Sequence, residues 1–198
     1  MSYNILGINP GHNGSACLVS DGELKYYLEE ERLSRMKYDG NPFKSMIDIM
    51  SKYHVDELVI VGTYPDHPTL PWTMEDVYTG LVRKYYPEVK TTILGQEHHL
   101  THASIAFYNS GFKKAVAVIV DGAGTYKDIS MNEEGSVKAK GCETESVWTC
   151  EYPSKFTVLH KVFGDNTQNR MVNEKFDVGN SVTIVKAYEA VTNYLGFS

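Results

Sequence analysis

Cysteine is scarce in this chain of 198 residues: Cys17, Cys142 and Cys150 are the only three, and none stands in C-x-x-C spacing. An odd count without that spacing excludes a disulfide framework and a zinc ribbon. Cys17 lies in an apolar strand pattern and reads as a small core residue. Cys142 and Cys150 would bridge only if they faced each other across a hairpin; a reduced pair in a cytoplasmic protein is the better expectation. Long apolar runs are also lacking. The longest are strand-length, so no membrane span is expected. Met1–Gly7 has neither a basic stretch nor an apolar signal core, so no signal peptide is expected. Positive charge is short as well: 19 Lys and Arg against 25 Asp and Glu leave −6. With no basic block to track a phosphate backbone, nucleic acid is disfavoured as the primary partner.

What remains is the composition of a globular α/β protein, 42% hydrophobic and 22% charged. Ile5–Ile8, Ser15–Val19 and Glu23–Glu29 read as three strands, with a hairpin turn at Asp21-Gly22. A charged loop, Glu30–Lys37, follows; it reads as solvated, with Arg32, Arg35 and Lys37 as a weaker candidate for meeting an anion. Phe43–Tyr53 has helical periodicity, and Glu57–Val61 is a short buried strand. Further on, a helix is expected near Thr73–Tyr85, a strand at Thr91–Leu94 and a helix at Leu100–Tyr108. Ala115–Val120 then opens a second segment of strand, Asp-Gly turn and strand, with strands near Ile129–Met131 and Val137–Lys140. Residues 141–181 look polar and poorly periodic, and Val182–Leu195 reads as the last helix. A meander followed by alternating helices and strands argues for a layered α/β domain. Its parts are expected to be residues 1–113 and an incomplete second part, 114–198.

The chemistry concentrates in His98-His99-Leu100-Thr101-His102 and in Val120-Asp121-Gly122-Ala123-Gly124. The i, i+4 spacing puts His98 and His102 on one helix face, one turn apart. Asp121 would emerge where a buried strand opens into a glycine turn. Two imidazoles and one carboxylate suit a catalytic divalent metal with open positions, and iron, zinc and manganese all fit. The alternative is a helix start whose histidines satisfy local polar groups. The set is no H-E-x-x-H site, because His99 stands where the glutamate belongs. A second turn, Asn9–Gly14, carries His12 between glycines. It reads either as an anion-approaching loop with His12 as a base, or as an ordinary hairpin. Gly122, Ala123 and Gly124 share that ambiguity, and no Walker ending follows them.

In this order the motifs resemble the O-carbamoyltransferases of the nodulation-protein and antibiotic-tailoring type. The resemblance rests on Leu6-Gly7-Ile8, Gly11–Ala16, Glu30–Asp39, His98–Ala103, Val120-Asp121-Gly122 and Val191–Phe197. It implies an actin-like ATPase (RNase H-like) fold, with the first subdomain whole and the second cut short. It also implies carbamoyl transfer from carbamoyl-adenylate, made from carbamoyl phosphate and ATP, to the hydroxyl of a small-molecule acceptor. His98, His102 and Asp121 match metal ligands, with iron favoured, and His12 matches the base near the acceptor. The Gly122–Gly124 turn would approach the nucleotide. A C-terminal half or a partner chain would supply the adenylate-forming domain. Two other readings are a tRNA-modifying threonylcarbamoyl-transfer relative, which shares the H-H-x-x-H-A element, and a non-catalytic metal- or partner-binding module. The module reading expects an exposed apolar surface where the second part should close.

Overall fold

The computed structural model describes residues 2–11, 13–61, 74–95, 97–130, 138–164, 170–172, 175–177 and 183–197. The chain forms two compact units, Met1–Gln96 and Glu97–Ser198. The histidine helix belongs to the second unit, where its Ala103 and Phe107 enter the core.

In the first unit, β1 (Asn4–Asn9), β2 (Ser15–Ser20) and β3 (Glu23–Glu29) form an antiparallel meander. Asp21 and Gly22 both take positive φ, 50° and 84°, as a tight primed hairpin turn requires. The helices are α1 (Glu30–Ser34), α2 (Phe43–Met50) and α3 (Met74–Tyr85). Strands β4 (Glu57–Ile60) and β5 (Lys90–Ile93) join in parallel, giving the order β3-β2-β1-β4-β5. Alternation along β1 and β2 sends Leu6, Ile8, Ala16 and Leu18 to one face. Met46 and Ile49 of α2, with Tyr78 and Val82 of α3, complete that core. Cys17 is only half-buried. An added Cβ on Gly7 would lie 2.9 Å from its Sγ, so the two residues pack across the β1–β2 pair.

The charged run is not a loop. Its Glu30 opens α1 and is buried, because α2 needs an acceptor and its preceding Pro42 offers no capping side chain. The Glu30 carboxylate accepts from Lys44 N (3.1 Å), Ser45 N (2.8 Å) and Ser45 Oγ (2.9 Å). Arg32 pairs with Glu29 at 3.1 Å and Lys37 with Glu31 at 3.4 Å, so their charges are taken up locally. The same segment clamps the β1–β2 turn: Gly11 N donates to Gly40 O (2.9 Å) and Gly14 N to Asp39 O (2.8 Å). A Cβ on Gly14 would stand 2.8 Å from Gly40 C, so this approach requires glycine. His12 itself lies outside the described residues.

The second unit begins with α4 (His98–Ser110), followed by β6 (Lys114–Val120), β7 (Tyr126–Ser130), β8 (Lys138–Glu151) and β9 (Lys155–Gly164). Next come β10 (Arg170–Val172), paired antiparallel with β11 (Lys175–Asp177), and α5 (Ile184–Tyr194). Residues 141–164, read as poorly periodic, are largely the long β8–β9 hairpin. Cys142 and Cys150 sit on the same strand, β8, and are free, so they do not face one another across a hairpin. Nor do β6 and β7 pair with each other. Both run antiparallel to β8, β6 against Glu145–Glu151 and β7 against Lys138–Cys142. They are two stretches of one strand line, interrupted at residues 121–125. The β6 strand is covered on one face only. Ala115, Ala117 and Ile119 pack with α4, while Val116 and Val118 are 60% and 65% exposed. Among the described residues, no helix is long and apolar enough to cross a membrane.

Removing the Glu30 cap strands buried donors at α2. Glu30→Ala is expected to cost about 3 kcal/mol, and Glu30→Gln, which keeps one acceptor oxygen, about 1 kcal/mol. Urea midpoints at unchanged slope measure both. An alanine variant as stable as the parent would remove Glu30 from the cap.

Candidate metal centre

The first turn of α4 supplies the imidazoles. The helix follows Gly95 and ends at Gly111, which adopts a left-handed φ of 74°. Its first amide, His98 N, donates to Thr125 Oγ1 at 3.3 Å, so the end of the 121–125 interruption satisfies the helix start. His98 and His102 then meet edge-to-face one turn apart, with ring centroids at 4.6 Å.

The interruption supplies the carboxylate. Asp121 N donates to Thr144 O (2.8 Å), Gly124 N to Glu143 O (2.7 Å), and Glu143 N returns to Thr125 O (3.0 Å). Five residues thus bulge out opposite Glu143 and Thr144 while keeping ladder bonds at both ends. Bulges of this kind re-aim side chains at sheet rims. Here the result turns Asp121 toward α4, and Gly122 N donates to its Oδ1 at 2.6 Å. Gly124 is fixed by packing: an added Cβ would lie 2.8 Å from His99 Cδ2 and 3.1 Å from Glu143 Cβ. Gly122 lies near α5, where its Cβ would meet Val185 Cγ1 at 3.6 Å. Ala123 is exposed. Gly124 therefore has a packing reason to be small, independent of any nucleotide, whereas a Cβ on Gly122 would make only ordinary contact.

His98, His102 and Asp121 converge, with one ligand atom from each lying within 4.8 Å of the others. His98 Nε2 stands 2.8 Å from Asp121 Oδ2 and 3.0 Å from His102 Nε2, so one nitrogen faces two partners. His102 Nε2 is 3.9 Å from the same carboxylate oxygen. A cation with bonds of about 2.1 Å holds neighbouring donors about 3.0–3.4 Å apart. One edge matches that spacing, one is slightly tighter, and the third is somewhat open. The donor set fits a divalent ion with free positions. The hydrogen bond from His98, opposed by partial burial, holds the Asp121 carboxyl down to about 2. Burial and the neighbouring His98 push His102 below the ordinary histidine value, which favours the neutral form that can bind metal.

Sequence reasoning missed what lies behind this set. His99 is fully buried, and its Nδ1 lies 2.8 Å from Ser146 Oγ. Trp148 Nε1 donates to the same oxygen at 2.7 Å. Buried Glu143 pairs with Lys161 alongside. The available signal was helical phase: a residue next to a ligand on a helix points about 100° away, toward the core.

No family model matches the chain. It is 29% identical over 138 residues to nodulation protein NolNO of Sinorhizobium fredii, covering 58% of this chain and 20% of that protein. The chain is a distant relative of a nodulation protein. An uncharacterized protein of Methanocaldococcus jannaschii is 31% identical over 124 residues, 61% of this chain and 22% of its own length. Another, from Synechocystis, is 26% identical over 196 residues, 81% of this chain and 31% of that one. The chain spans between a fifth and a third of these curated relatives.

Asp121 is depressed in the folded chain from 3.8 to about 2, so its stabilisation is complete above pH 4 and is lost as pH falls from about 4 to 2. In metal-free protein, Asp121→Asn is expected to lower stability at pH 6 by about 1–2 kcal/mol and to flatten that acid limb. Urea midpoints between pH 3 and pH 6 check it. A limb of unchanged steepness would place the acid sensitivity elsewhere.

Proposed function

We propose that this chain is part of an O-carbamoyltransferase of the nodulation-protein type, and that His98, His102 and Asp121 hold its divalent metal, with iron favoured. One observation carries the reading: His98 Nε2 lies within hydrogen-bond range of both the Asp121 carboxylate and His102 Nε2, where a cation would satisfy all three lone pairs. The similarity to nodulation protein NolNO supports the same family. An antiparallel meander extended by two parallel strands supports an actin-like fold for the first unit.

In this reading, His98, His102 and Asp121 would hold a divalent ion, which would supply Lewis-acid polarisation of the phosphate or carbonyl oxygens of carbamoyl-adenylate. The acceptor hydroxyl oxygen bonds to the carbamoyl carbon, the bond from that carbon to the phosphate oxygen breaks, and AMP leaves. His12 takes the hydroxyl proton. Gly122–Gly124 would face the nucleotide, with Gly124 also serving the packing described above. ATP, carbamoyl phosphate and the small-molecule hydroxyl acceptor are the partners, and further sequence or a second chain supplies the adenylate-forming domain. The open apolar face of β6, with Val116, Val118 and Val120 exposed, supports a covering partner. It also favours the second reading, a partner-binding module without turnover.

Elemental analysis separates the two. The purified chain is expected to carry about one equivalent of divalent metal, and the His98→Ala/His102→Ala variant none. Supplied with the remaining sequence of a relative, the metal-loaded chain is expected to move labelled carbamoyl phosphate carbon into acceptor. Absence of metal from both proteins would overturn the metal-centre reading and leave the binding module.

A further inference from the structure

His99 stands between the two ligands of α4 in sequence but faces the interior, fully buried. Its Nε2 has no hydrogen-bond partner and lies 3.9 Å from Asp121 Oδ2. Its other nitrogen fixes what Nε2 carries. Ser146 Oγ has two neighbours, Trp148 Nε1 and His99 Nδ1. The indole N–H can only donate, so it occupies a lone pair of the hydroxyl. The hydroxyl proton then needs an acceptor, and Nδ1 is the one at hand, 2.8 Å away. If Nδ1 carried the proton instead, two donors would meet at Ser146 and the buried hydroxyl proton would be stranded. A stranded buried donor costs about 1–3 kcal/mol.

We propose that Trp148 and Ser146 lock His99 as its Nε2–H tautomer, making it a positioning residue that donates to the Asp121 carboxylate when a cation occupies the site. The inference rests on the metal-centre reading for its second half only. Asp121 Oδ2 currently accepts from His98 Nε2. For a cation to bind there, His98 must move its Nε2 proton to Nδ1 or release it to solvent, and the carboxylate loses that donor. His99 Nε2–H is next in reach; a shift of about 1 Å brings it to hydrogen-bond distance. Carboxylates that bind metals are held by such outer donors, whose loss typically weakens binding about 10–100-fold. Gly124 belongs to the same device. An added Cβ there would stand 2.9 Å from His99 Nε2, so a larger residue would block the ring's approach to the bulge.

The test has two arms. In metal-free protein at neutral pH, nitrogen-15 imidazole NMR is expected to show His99 with a pyridine-like Nδ1 and a pyrrole-like Nε2. In Ser146→Ala that preference is expected to relax toward a mixture. A pyrrole-like Nδ1 in the parent overturns the tautomer lock without touching the metal reading. In the second arm, cobalt(II) titration followed by visible absorption compares the parent, His99→Leu, His99→Gln and Ser146→Ala, each checked for folding. His99→Leu is expected to bind about 10–100-fold more weakly with an altered ligand-field band. His99→Gln, which returns an amide donor, is expected to recover part of that loss, and Ser146→Ala to fall between. Equal affinity and spectra across folded variants overturn the positioning role. Failure of the parent itself to bind cobalt overturns the metal-centre reading and the positioning role together, while the NMR arm still decides the tautomer.

Discussion

Backbone amides that leave a sheet must find other acceptors, and at residues 121–125 they find them on Glu143 and Thr144 of the strand they have just left. That constraint organises the second unit. Because the three bonds hold both ends of the bulge, β6 and β7 remain in one line along β8 while the residues between them stand out from it. The displaced segment then serves the neighbouring helix at two points. Thr125 receives the first amide of α4, and Asp121 meets its first histidine. Helix start and carboxylate are therefore positioned by the same backbone feature. A change that closed the bulge into regular sheet would remove both together.

The cost of this arrangement is a polar interior. Thr125, Glu143, Thr144, Ser146 and His99 are all buried in the unit where an ordinary sheet would present aliphatic residues. Most find partners within reach. Thr144 Oγ1 donates to Val162 O at 3.2 Å, Glu143 pairs with Lys161, and Ser146 joins Trp148 to His99. The register of β8 against β9 also shifts between Glu143 and Glu145, which places Cys142, Glu143 and Thr144 consecutively inside. Irregularity on one edge of β8 thus sits beside irregularity on the other. Together they make room for a fully buried imidazole behind the ligand set.

Local periodicity made the first unit readable. Alternation in β1 and β2, the Asp21-Gly22 turn and the apolar phase of α2 all follow from side chains meeting immediate neighbours. The i, i+4 pair and Asp121 were readable for the same reason, since helix phase and a strand end are local facts. What was hidden is long-range. Glu30 looks like one more charge in a solvated run until α2 presents donors 14 and 15 residues away. The Ala115–Val120 run reads as a buried strand, yet only the alternate residues that meet α4 are covered. The Asp-Gly step reads as a hairpin because such turns usually are hairpins, whereas here the chain continues along the same partner strand. Residues 141–164 show weak alternation because bulges break the period of two. His99 was visible as a residue and invisible as a role, since its partner Ser146 lies 47 positions further on.

The charge of the ligand set adds a further constraint on chemistry. Two neutral imidazoles and one carboxylate contribute a single negative charge, so a dication held there keeps a net positive charge and open positions. The half-buried carboxylate cannot neutralise it, and no second acid stands within the cluster among the described residues. Partial burial weakens solvent screening, so the residual charge acts strongly on whatever enters. An oxyanion is the complementary ligand for such a centre, and a phosphate ester brings several acceptor oxygens to it. In the proposed arrangement the polar interior would contribute a donor from behind, because an N–H directed at Asp121 would steady the carboxylate without adding to the negative charge. A glutamate in place of His99 would do the reverse: it would lower the net charge of the site and with it the pull on an anionic substrate. On the proposed metal reading, an imidazole between His98 and His102 would suit a centre that receives a phosphate better than the acid found there in H-E-x-x-H sites.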